Sequence, residues 1–140
     1  MAKVTFQLEG QERLTVRVSQ YEREFIRDLE KITTRGAGRV ARAGKAQAPV
    51  RSGNLRRSIR QKDVSRRIGM AYRLAKTVTA RGRIGNHLHL VQLGTRQRTS
   101  RNGGNRGRMP ANPFLARAQA SASSQFHLEI QERIRRRVEI

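Results

Sequence analysis

The chain has 140 residues, 31 of them Lys or Arg against 10 Asp or Glu, for a formal net charge of +21, and it contains no cysteine. That composition excludes a disulfide framework and a thiolate metal site, and no apolar run approaches the roughly 18 residues of a membrane span or forms a secretory leader, so no membrane partner is expected. Leu, Ile, Val and Phe make up 31 residues, a thin core for the single domain that the length predicts over 1–140, and the self-repulsion must be offset by partners or counterions.

The charge is unevenly spread. Six acids lie at or before Glu30, three at or after Glu129 and only Asp63 between, whereas 22 Lys or Arg occupy 31–128. A solvated surface mixes signs, so this asymmetry points to a polyanion, nucleic acid before an anionic membrane surface or an acidic protein.

In chain order, Val4, Phe6 and Leu8 alternate with polar residues, 9–12 reads as a turn, and Leu14, Val16 and Val18 alternate again. This predicts a β-hairpin over 1–18. Ser19 and Glu22 have the spacing of a capping box, and Tyr21, Phe25, Leu29, Ile32, Gly36, Val40 and Ala43 share one helical stripe, so a long helix is predicted over 20–48. Gly36, Gly38 and Gly44 oppose it, which calls for close packing or a bend. Pro49 stops the helix, Gly53 permits a tight reversal, and Leu55 and Ile59 can return one short helical turn to the core.

Strands are predicted over 58–64, 71–80 and 83–93, together a sheet spanning 58–94, with Leu88, Leu90 and Val91 making the last partly buried on both faces. The core is predicted to hold Phe25, Leu29, Ile32, Leu90 and Leu93. The next stretch, 95–111, has five arginines (Arg96, Arg98, Arg101, Arg106, Arg108), no acid and almost no apolar residue, and reads as a long mobile basic loop. Asn112 as N-cap and Pro113 at the first helical position then open a helix over 112–138. Its row of Phe114, Ala118, Ala122, Phe126, Ile130, Ile134 and Val138 recurs every four residues and drifts about 40° per step around a 3.6-residue turn. Early members are therefore expected to pack within the subunit and Phe126, Ile130, Ile134 and Val138 to form a subunit interface. The fold class is α+β: a long N-terminal and a C-terminal helix on a small, mostly antiparallel sheet, with an N-terminal β-hairpin.

Catalytic chemistry has little to work with. His87 and His89 share a strand face in this reading, but without a nearby carboxylate or cysteine they are assigned to packing, and no serine has a base at a recognisable spacing. The glycines of 101–108 lack the Gly-Lys-Ser/Thr ending of a phosphate-binding loop, and four Phe and two Tyr are too few for a base-stacking platform. No enzyme activity, metal or cofactor is expected. The arginines suit phosphate contacts that read no sequence.

Three segments follow one another in a suggestive order: Ala48-Pro49 with Ser52-Gly53-Asn54-Leu55-Arg56, then Leu90-Val91-Gln92-Leu93-Gly94-Thr95, then Pro113-Phe114-Leu115. Over about 21–118 the chain resembles the neck and tail-completion proteins of tailed phages, the family named for gene product ten of the HK-ninety-seven type. Gln92 and Leu93 depart from that family's usual carboxylate and aromatic. The resemblance implies a structural subunit of a head-to-tail connector: a homo-oligomeric ring, a hexamer in preference to a dodecamer, around the channel for double-stranded DNA. Its partners would be the adjacent connector and tail proteins, and its place the virion, after assembly in the host cytoplasm. Charge alone would suit a nucleoid or ribosomal nucleic-acid-binding protein equally well; the order of the three segments favours the phage reading.

Overall fold

The computed structural model describes residues 11–69, 73–82 and 85–138, with side chains from residue 20 onward. Two helices, α1 (Gln11–Gln47) and α4 (Phe114–Val138), run antiparallel along each other. Between them lie the short helix α2 (Asn54–Ser58), strands β1 (Ile59–Asp63) and β2 (Lys76–Ala80), and the short helix α3 (Leu88–Leu93). One-turn 3-10 segments, Ser65–Ile68 and Gly85–His87, precede β2 and α3.

The α+β class and the two long helices are as expected; the N-terminal hairpin is not. Residues 11–18, its second strand and part of its turn, are helical and belong to α1. Three alternating apolar residues are a short signal. Extending a helix already formed over 20–47 adds one hydrogen bond per residue, whereas an isolated hairpin is marginal. Ser19 and Glu22 thus fall inside the helix instead of capping it, and the hairpin's first strand lies outside the described residues.

Small residues on α1 set the approach of α4. A Cβ added to Gly36 would lie 2.7 Å from the Phe126 ring, and one on Gly44 would lie 2.6 Å from Cδ2 of Leu115. Their helix penalty, about 1 kcal/mol each, is offset by this close contact. At the same end Ala41, Ala48, Ile59 and Phe114 form the core, surrounded by Leu55, Val78, Leu88, Val91 and Leu115. Phe114 and Ile59 are fully buried, each contributing roughly 2–3 kcal/mol of transfer free energy.

Among the described residues the sheet has two strands. β1 and β2 pair antiparallel from Ile59↔Ala80 to Asp63↔Lys76, and the ladder continues through Arg81 N–H to Ser58 O (3.0 Å) and Val64 N–H to Ala75 O (3.1 Å). Asp63 closes one end, accepting from the Ser65 amide at 2.9 Å and from Lys76 Nζ at 3.0 Å; the amide first, then the lysine, hold its carboxyl far below the usual range.

The third predicted strand is instead the 3-10 turn and α3. Leu88 and Val91, three residues apart, both reach the core from one face of a helical turn. A two-residue alternation could not place them together. Leu93 is consequently 79% exposed and leaves the predicted core; Leu90, Phe25 and Leu29 are half-buried, and Ile32 is buried. His87 and His89 do not share a strand face, and both are exposed.

Candidate functional site

Pro49 and Gly53 act where the sequence places them. α1 ends at Gln47, Gly53 has φ 70°, and α2 returns Leu55 to the core. This turn meets the two later segments: Pro49, Gly53 and Leu55 line a groove of about 360 Å³ together with Val91, Met109 and Asn112. The three resembling segments, distant in sequence, are thus neighbours at one end of the fold. The Asn112 amide donates to Val91 O at 2.9 Å, tying the start of α4 to α3.

From this end projects residues 95–111, which are ordered by their own hydrogen bonds as a finger. At its base Thr95 N–H donates to Met109 O (2.9 Å), and the Met109 amide donates to Thr95 Oγ1 (3.1 Å). Gly94 has φ 75°, and a Cβ there would stand 2.7 Å from Met109 O and 2.8 Å from the Ala111 nitrogen. Only glycine fits both constraints. Gly94-Thr95 therefore closes the finger's base.

Further out, Arg98 opposes both Arg106 and Gly107, accepting from the Arg106 amide at 2.7 Å and donating to Gly107 O at 3.1 Å. This is a β-bulge, with Gly107 at φ 69°. Thr99 and Asn105 bridge, Ser100 N–H donates to Gly104 O at 2.7 Å, and Gly103 closes the tip at φ 75°. The expected mobile loop is thus a short β-ribbon. The missed signal was Ser100 with Gly103-Gly104, a three-residue hairpin turn whose last residue is left-handed.

Arg96, Arg98, Arg101, Arg106 and Arg108 are all exposed, and none has a side-chain hydrogen bond or ion pair among the described residues. Five cations on one ribbon, with no acid, make a field that attracts a polyanion.

A second basic surface was not anticipated. Arg27, Lys31 and Arg35 repeat every four residues on α1, and with Arg73 and Lys76 they line a groove of about 740 Å³. The four-residue spacing was legible, but nothing in the sequence joined it to the residues before β2.

Pro113 is exposed and Phe114 fully buried, so Pro-Phe seats the start of α4. The helix begins at Phe114, one turn position later than predicted; Arg117 N–H donates to Pro113 O, which makes Pro113 the cap, and Asn112 Oδ1 accepts from Arg117 Nη2 at 2.6 Å. Along α4 the four-residue row surfaces gradually. Phe114, Ala118 and Ala122 are buried, Phe126 and Ile130 half-buried, Ile134 46% exposed and Val138 79% exposed. Phe126 itself lies against Gly36 of the same chain.

The middle and the far end of the helix pair carry ion pairs. Arg39 Nη1 donates to Glu129 Oε1 at 2.7 Å, Arg133 pairs with Asp28 at 2.8 Å, and the Arg137 guanidinium sits 4.3 Å from the Phe25 ring centroid. The hydrogen bond from Arg39 holds the Glu129 carboxyl below its usual range, and that from Lys31, aided by Arg133, does the same for Asp28. Arg39 Nε and Nη2 and Glu129 Oε2 are buried without partners among the described residues, so this pair is only half satisfied there.

Among the described residues no group of three His, Asp or Glu is placed to hold a metal, and no helix is long and apolar enough to cross a membrane. Fold and site together define a small α+β structural subunit carrying a cationic finger. The HK97-gp10-like family model, described as a bacteriophage HK97-gp10 tail component, matches residues 12–94, more than half of the chain, and the chain belongs to that family. It is a structural protein of the phage tail. No curated protein and no solved structure matches it. The family match stops at Gly94, so the finger and α4 lie beyond it.

Proposed function

We propose that the chain is a subunit of a ring at the phage head-to-tail junction, and that its finger points into the channel and meets double-stranded DNA through phosphate contacts alone. The observation that carries this reading is the finger: five exposed arginines, unpaired among the described residues, on a ribbon whose base is built from Gly94, where the family match ends, and Thr95. Copies around a ring multiply that charge, and phosphate contacts hold a duplex without fixing its register, as a conduit requires. Family membership favours this over a free-standing nucleoid or ribosomal protein.

Replacing Arg98, Arg101, Arg106 and Arg108 together with Ser tests it. Rings are expected to form and join heads, while DNA binding by isolated rings weakens and its salt dependence flattens. Unchanged DNA binding with failed joining would make the finger a protein-docking element against the neighbouring connector layer.

A further inference from the structure

Among the described residues no strand pairs with the outer edge of β2. In the β1–β2 ladder the bonds at Ser58–Arg81 and Val64–Ala75 fix the alternation, so Thr77 and Thr79 turn their amides and carbonyls toward β1, while Lys76, Val78 and Ala80 turn theirs away. Gly85 packs against the Ala80 carbonyl. The backbone groups of Lys76 and Val78 have no hydrogen-bond partner among the described residues. Lys76, Thr77 and Val78 border a groove of about 480 Å³ whose α1 side is Gly36, Ala37 and Val40 and whose α4 side is Ala122, Ser123 and Phe126; β1 contributes nothing to it. An open strand edge over an apolar, small-residue floor is a template for strand addition.

We propose that this groove receives residues 3–8 of a neighbouring copy of the chain as a third strand. Lys3-Val4-Thr5-Phe6-Gln7-Leu8 alternates apolar and polar residues, the pattern of a strand with one face to bury. Its own groove is out of reach. α1 is one continuous helix from Gln11, and the groove's Gly36 and Val40 lie 25 and 29 residues along it, about 38 and 44 Å at 1.5 Å per residue. Val4 precedes Gln11 by seven residues, at most about 25 Å of extended chain. The first turns of α1 also run past the body: Arg137, near the end of α4, is already level with Phe25. They carry the segment away from its own sheet and toward another subunit. The backbone edge supplies hydrogen bonds, and Phe6, over Ala37, supplies most of the buried area.

The inference rests on the proposed assembly of several copies, not on the DNA contact. Sedimentation of the full-length chain and of Phe6→Asp tests it: Phe6→Asp is expected to run as a monomer with the helical circular dichroism of the parent. If the parent forms a ring and Phe6→Asp forms the same ring, the strand exchange is overturned and the ring stands. If the parent forms some other multimer that Phe6→Asp abolishes, the exchange stands and the ring falls. A parent that is monomeric overturns both. The chain's lack of cysteine allows a second readout, oxidation of the Phe6→Cys/Ala37→Cys double variant. A ladder of disulfide-linked multimers is expected; a cross-linked monomer, or no cross-link, would overturn exchange between copies.

Discussion

The two ends of the α1–α4 pair are held by different physics. Near Ala48 the helices meet through Gly44, Ala41, Ala118 and the buried Phe114 ring; near Phe25 they meet through Asp28–Arg133 and two guanidinium groups over an aromatic face, and Arg39–Glu129 lies between the two. The first end depends on shape and is indifferent to salt. The second depends on charge, leaves buried polar atoms unpartnered, and is open to pH and ionic strength. The motif segments and the finger's base belong to the packed end, so the surface proposed to touch DNA is anchored where changes of solution matter least.

Five measurements bear on that contrast, taken broadly from the largest effect to the smallest. Phe114→Ala empties the middle of the packed end and is expected to cost about 3–5 kcal/mol, read from the urea midpoint; a shift as small as that of a surface mutation would show that this end is not the anchor. Gly94→Ala forces a side chain into left-handed backbone against Met109 O, with an expected loss of about 1–3 kcal/mol and deprotection of the Thr95 and Met109 amides in hydrogen exchange.

Between the two ends, Glu129→Gln is expected to cost about 1–3 kcal/mol by leaving Arg39 buried beside a neutral group, whereas the double change Arg39→Met/Glu129→Leu is expected to be near neutral. Acid should act on both ion pairs. Glu129 and Asp28 have lowered folded-state values, so their contribution is whole above the unfolded carboxyl range, about pH 4, and is lost as pH falls through the lower folded values. Exchange protection at Phe25 to Leu29 should therefore fail before that at Ala41 to Ala48; simultaneous loss would merge the two ends into one unit. Smallest of all, the fourfold Arg→Ser finger variant is expected to move stability by less than about 0.5 kcal/mol, because those arginines touch nothing in the described residues.

What could be read in the sequence was whatever depended on neighbours along the chain. Pro49, Gly53 and the stripe through Ile32 and Gly36 announce a helix and its stop, and the four-residue row of α4 foretold its passage from buried Phe114 to exposed Val138. Misreadings occurred where distant groups decide. Leu88 to Leu93 has enough apolar residues for strand or helix, and the choice is made by Ala41, Ile59 and Phe114, which accept Leu88 and Val91 only from a helical turn. Leu14 to Val18 alternates like a strand but joins a helix whose continuation carries it along. The basic stretch was legible in charge and not in shape: the partners that order it, Thr95 with Met109 and Arg98 with Arg106, lie eight to fourteen residues apart.

The finger is closed independently at its base and at its tip, and between those closures its two sides bond to each other through Arg98, Arg106 and Gly107. Its length is therefore free to change without disturbing α3 or α4. Each residue pair added to both sides extends it by about 6.6 Å, so, in the proposed ring, one tail-protein body would be fitted to channels of different bore by editing a single ribbon.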